Sequence, residues 1–214
     1  MKKKTAINDL LRVMARLRSP TGCPWDREQS HWTLRRHAIE EVYELIDAIE
    51  ARDDEEMAEE LGDLLLQVVF HCQLARERGA FDFETVARRI TDKLIRRHPH
   101  VFGTTKVGSV DEVWANWEKI KRAEKHGTHR ARHSAFDGIP KHLPALLRAE
   151  KLMKKAGKVF PQARPARRKS SKAALAKELF DLAASAQARG WSAEELLTGE
   201  IKRREGAFRR AEAD

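Results

Sequence analysis

The chain has 214 residues, 41% of them apolar and 35% charged, enough for a substantial core under extensive solvated faces. No uninterrupted apolar run suits a signal peptide or a membrane span, because Asp9, Arg12 and Arg16 interleave Ile7, Leu10, Leu11, Met14 and Leu17. Two cysteines, Cys23 and Cys72, make neither a disulfide framework nor a C-x-x-C metal motif, so a reducing, cytoplasmic setting is expected.

The net charge of +9 is uneven: residues 1–125 carry 22 Lys and Arg against 23 Asp and Glu, whereas residues 126–214 carry 20 against 10. The basicity peaks at Arg164 to Lys172, a Pro- and Ser-containing stretch that reads as an exposed loop. It suits a polyanion such as nucleic acid electrostatically, but it has no aromatic platform, which favours a solvated linker.

In chain order, residues 5–18 form an amphipathic pattern, followed by an unusual loop, Gly22-Cys23-Pro24-Trp25-Asp26. Trp25 suits a rigid contact, to the bundle first and to a substrate base second. The spacing predicts a helix over 33–51 with Leu34, Ala38, Val42, Leu45 and Ile49 as its apolar stripe. Another is predicted over 54–78, started by Asp53 or Asp54 and stopped by Gly79, with Met57, Leu61, Leu64, Leu65, Val68 and Cys72 inward. Helices over 83–97, ending before Pro99, and over 109–125 follow, with Phe83, Val86, Ile90 and Leu94 spaced for burial in the first. A polar connector precedes helical patterns over 144–156, 172–189 and 193–213. Alternating strand patterns are nearly absent, so the fold class expected is all-α.

Two acidic clusters stand out, Glu40-Glu41-Val42-Tyr43-Glu44 and Glu59-Glu60-Leu61-Gly62-Asp63. Residues three apart share a helix face, so Glu41 projects with Glu44 and Glu60 with Asp63. If the two helices are antiparallel neighbours, four carboxylates converge, and their repulsion calls for protonation or a cation. A hard, oxygen-seeking ion, Mg2+ or Mn2+, is the natural guest; a plain solvated face is the alternative. Lys93 and Arg97, four apart, give a basic face of the kind a polyphosphate needs, or an ordinary charged surface.

From Leu10 to Lys121 the ordered motifs resemble the MazG-type nucleoside triphosphate pyrophosphohydrolases: the Gly22 to Asp26 entry, both acidic clusters, the continuation through Leu66-Gln67, and Lys93 to Phe102. The resemblance implies an all-α helical bundle and Mg2+-dependent hydrolysis of NTPs or dNTPs to monophosphate and diphosphate, a house-cleaning of the nucleotide pool. Carried over by position, it implies Glu41, Glu44, Glu60 and Asp63 as metal ligands with Glu40 supporting them. It further implies Lys93 and Arg97 on the phosphates and Trp114 near the nucleotide, with Trp25 a second candidate there. A homodimer or higher homo-oligomer is implied as well. Larger relatives carry two such domains, so the expected organisation is a catalytic domain over 1–125, a connector over 126–143 and a degenerate second domain over 144–214. There Glu178 and Asp181 echo Glu60 and Asp63, but the basic Arg164 to Lys172 stretch replaces the matching acidic cluster. The competing reading of the whole chain is a regulatory or nucleic-acid-binding protein that works through its basic second half.

Overall fold

A computed structural model describes residues 5–124, 133–163 and 170–213, and among these every regular element is helical, with no strand. The all-α expectation holds. The chain divides into two compact units, Met1–Trp117 and Glu118–Asp214.

In the first unit α1 spans Ala6–Leu17 and α2 Pro24–Glu28. A single 3-10 turn, Thr33–Arg35, leads into α3, His37–Ala51. Then come α4, Asp54–Glu77, α5, Phe83–Arg97, and the short α6, Pro99–Phe102. The last helix to begin here is α7, Val110–Ala123. The reversal from α3 to α4 is made by Arg52 in the left-handed region, φ 58°, and then by Asp53. The Asp53 carboxylate accepts from the backbone N–H groups of Glu55 and Glu56 at 3.0 and 3.1 Å, satisfying donors that the first helical turn leaves open. Asp82 does the same for α5, accepting from the Thr85 N–H at 2.9 Å and its hydroxyl at 2.6 Å. Gly79, at φ +69°, stops α4 in the conformation a Cβ disfavours.

The core of this unit is Met14, Leu34, Val69 and Phe70, flanked by Leu10, Leu11, Leu66, Leu74 and Phe83. It clamps α1 and the turn before α3 onto the C-terminal half of α4. Gly22 is where the α1–α2 turn folds back on itself: a Cβ there would lie 2.0 Å from the Leu17 carbonyl oxygen. The turn is closed by the Cys23 N–H donating to that same oxygen at 2.8 Å.

Several residues expected inward are not covered. Val42 and Ile49 on α3, Leu61, Leu65 and Val68 on α4, and Ile90 and Leu94 on α5 are 39–52% exposed. Periodicity reports that a face is apolar; it does not report whether this chain covers it. The sequence reading also passed over α2 and α6. In both, proline occupies the first helical position, where its fixed φ is pre-organised and its missing N–H costs nothing.

In the second unit α8 spans Ala145–Val159, α9 Lys172–Gln187 and α10 Ala193–Ala213. Its core joins Phe136, Ala145, Leu152, Ala156 and Ile201, with Phe160 and Phe208 packed against it. Phe136, inside the span read as connector, is fully buried. Its turn is held by Asp137, which accepts from the His133 and Ser134 N–H groups and from Arg209 at 2.8 Å. Glu205 bridges Arg209 to the buried Arg148 at 2.8 and 2.9 Å. Along α9, by contrast, Leu175, Leu179, Phe180 and Leu182 stay exposed. Residues 164–169 of the basic stretch lie outside the described residues.

Candidate functional site

The capped reversal at Arg52 and Asp53 lays α3 and α4 side by side, the most extensive helix pairing among the described residues. Antiparallel pairing sets the two acidic clusters at the same level. One carboxylate oxygen each from Glu41, Glu60 and Asp63 then falls within 4.8 Å of the others. All three residues are half-buried.

The electrostatic consequence follows from like charges at close range. Partial burial raises the pKa of Glu41, and the neighbouring carboxylates of Asp63, Glu44 and Glu60 raise it further. Glu60 is raised in turn by burial and then by Glu44, Asp63, Glu56 and Glu59. The Glu60 Oε2 atom is buried with no hydrogen-bond partner. An oxygen-only donor set, mutual repulsion and an orphaned carboxylate oxygen together fit a hard divalent cation.

Glu44 is exposed and outside the close trio, yet it acts electrostatically on both Glu41 and Glu60. Glu40 is also exposed, and its Oε2 lies 3.2 Å from His37 Nδ1. Lys93 and Arg97 stand one turn apart on α5, which packs on α4, and both are half-buried. The Arg97 guanidinium lies over the Trp117 ring at 5.7 Å, and Trp114 meets that ring edge to face at 5.2 Å. Trp114 itself is exposed.

Trp25 is exposed too, with its ring edge to face against Phe70 of α4 and His37 of α3 at 6.5 and 6.0 Å. Since Gln67 precedes Phe70 by one turn and His37 precedes Glu41 by one turn, the aromatic group follows the carboxylates along the helix pair. His37 and Gln67 had no role in the sequence reading. The signal for Gln67 was present in its spacing, seven after Glu60 and four after Asp63, which places all three on one face.

Glu178 and Asp181 lie on the exposed α9, where Asp181 is paired with Lys177 at 2.5 Å. Among the described residues the trio on α3 and α4 is the one cluster suited to hold a metal ion. No helix among them is long and apolar enough to cross a membrane.

Residues 29–102, which contain α3, α4 and α5, match the model of the MazG nucleotide pyrophosphohydrolase domain. The chain is 49% identical over 154 residues to the nucleoside triphosphate pyrophosphohydrolase of Escherichia coli, covering 72% of this chain and 58% of the relative. It is 49% identical over 151 residues to the nucleoside triphosphate pyrophosphohydrolase/pyrophosphatase MazG of Thermotoga maritima, covering 71% and 56%. It thus spans somewhat more than half the length of these relatives. An uncharacterized 26.1 kDa protein of Streptomyces cacaoi matches nearly end to end, 38% identical over 206 residues, or 95% of this chain and 81% of that one. With the domain model centred on the helices that gather the carboxylates, and with the Escherichia coli and Thermotoga maritima relatives each 49% identical, the chain belongs to the MazG family.

Proposed function

We propose that the chain is a divalent-cation-dependent nucleoside triphosphate pyrophosphohydrolase, converting an NTP or dNTP and water into the monophosphate and diphosphate. The observation that carries this reading is the convergence of Glu41, Glu60 and Asp63, whose mutual repulsion a bound cation would offset. The activities for which the Escherichia coli and Thermotoga maritima relatives are named support the reaction class. Mg2+ is the resident ion in this proposal and Mn2+ its substitute. When bound, it supplies positive charge to the phosphate oxygens and acidifies coordinated water.

The chain's own groups do the rest. Glu41, Glu60 and Asp63 hold the ion, with Glu44 completing the set or accepting the proton of the attacking water from its exposed edge position. Glu40, tied to His37, supports the acidic face. Lys93 and Arg97 offset phosphate charge that grows as the bond to the leaving diphosphate breaks. Trp114 and Trp25 offer exposed rings to the nucleoside.

The protein works as a homodimer or higher homo-oligomer in this proposal. Val42, Ile46 and Ile49 on α3 and Leu61, Leu65 and Val68 on α4 each follow the spacing of one helix face and are exposed, the kind of patch that marks a protein interface. The second unit is non-catalytic in this proposal, since among the described residues the carboxylates grouped closely enough to hold a metal ion are those of Glu41, Glu60 and Asp63 in the first unit.

Incubation with a panel of ribo- and deoxynucleoside triphosphates, with Mg2+ and with EDTA, followed by anion-exchange separation, tests the reaction. Metal-dependent monophosphate plus diphosphate is expected. Nucleoside diphosphate plus phosphate, or no turnover with salt-sensitive nucleic-acid binding, would replace this reading with that of a binding protein.

A further inference from the structure

Gln67 sits on α4 one turn past Asp63, and it is only 8% exposed. Its neighbours in sequence, Leu66, Val69 and Phe70, belong to the apolar core or its edge. On packing grounds alone a leucine or methionine would suit the position, because a buried amide is costly unless its donors and acceptor are used.

The amide is used on one side. Its Nε2 donates towards Glu41 Oε1 at 3.5 Å, whereas its own Oε1 is buried with no partner. The opposite amide orientation would press a carbonyl oxygen against a carboxylate, so the N–H group belongs on the Glu41 side. This leaves a buried acceptor without a donor on a side chain that touches the acidic trio, and within the trio Glu60 Oε2 is buried without a partner as well.

We propose that Gln67 is the positioning residue of the site. By donating to Glu41 Oε1 it fixes the rotation of that carboxylate and aims it at the cation, while its orphaned carbonyl accepts a hydrogen bond from a water that enters with the ion. This rests on the reading that the trio holds a divalent cation. A partner that orients a ligating carboxylate commonly governs metal affinity by about 10–100-fold on mutation.

The inference makes affinity and stability move independently. Gln67→Met removes the donor to Glu41 and also the unsatisfied carbonyl. Mn2+ binding followed by electron paramagnetic resonance is expected to weaken at least about 10-fold. The melting temperature in EDTA is expected to stay level or rise, because an orphaned polar group has been replaced by a packed one. In turnover, the Mg2+ concentration for half-maximal rate should rise while the rate at saturating Mg2+ is largely kept. Should Gln67→Met not fold, Gln67→Asn decides, since it keeps the amide but is one methylene too short to reach Glu41, and it should weaken Mn2+ binding similarly.

Wild-type Mn2+ affinity in the folded variant, or a lower melting temperature in EDTA with unchanged affinity, would show a merely structural amide and overturn the inference. Failure of the wild-type protein itself to bind Mn2+ would instead overturn the underlying reading of the trio.

Discussion

The Nδ1 atoms of His31 and His71 face each other at 2.8 Å, with the ring planes within 9° of parallel, so one imidazole donates and the other accepts. The bond pins the segment before the 3-10 turn to the C-terminal third of α4. Burial, and then His31, lower the pKa of His71.

The sign of the pH effect follows. An unfolded His71 imidazole takes up its proton near pH 6.5, but in the fold His71 resists protonation, so below that pH the unfolded state binds more protons. Stability from His71 is therefore full at pH 7.5 and declines as pH falls from about 6.5 towards the folded value. Urea unfolding at pH 7.5, 6.5 and 5.5 should show a smaller loss towards acid in His71→Phe than in the wild type. Equal slopes would contradict the role.

Cation binding should stabilise the fold. An ion that binds only the folded state adds about 2.7 kcal/mol at 100 times its Kd. Raised pKa values at Glu41 and Glu60 mean that the metal-free folded site gains from protonation as pH falls towards the carboxylate range. Thermal melts with Mn2+ and with EDTA should separate in the wild type and nearly coincide in Glu60→Gln.

Arg18 anchors the loop that carries Trp25. Its guanidinium donates to both Glu77 carboxylate oxygens at 2.8 and 2.7 Å, and to the carbonyls of Asp26 and Gln29. Glu77 is correspondingly held below its ordinary pKa, first by the Arg18 hydrogen bond. Arg18→Met should cost about 1–2 kcal/mol in denaturant unfolding, because it strands two part-buried carbonyls, while the exposed Glu77 carboxylate falls back on water. Arg18→Lys should recover little of this, since a single ammonium cannot reproduce the fork.

Much of the fold was legible because its punctuation is local. Asp53, Asp82 and Ser171 cap the helices they precede, and Gly79 stops α4. Convergence of the acidic clusters was legible as well, since a three-residue spacing on two helices needs only their antiparallel pairing, but four carboxylates were expected and Glu44 stays outside the close group of Glu41, Glu60 and Asp63. The burial of Phe136 was not, because it depends on contacts with Phe160 and Phe208, far along the chain. Neither was the exposure of Leu61 and Leu65, which depends on what this chain alone can cover. Gln67 was read as part of a motif but given no role, because an amide carries no charge to draw attention, although its register matched Glu60 and Asp63.

The exposed apolar stripes predict self-association. Light scattering should return at least twice the 24.5 kDa chain mass. Leu61→Glu with Leu65→Glu should give a folded monomer, because charges on an apolar interface are costly to bury. A monomeric wild type would contradict the dimer proposal.

The central claim is that the α3 and α4 carboxylates carry the chemistry and the α9 echo does not. Nucleoside triphosphate turnover by Glu60→Ala and by Glu178→Ala, each at saturating Mg2+, tests it most directly. Glu60→Ala should lose activity by at least about 100-fold, the scale seen when a transition-state-stabilising group is removed, while Glu178→Ala keeps wild-type turnover. Intact activity in Glu60→Ala together with its loss in Glu178→Ala would contradict the account.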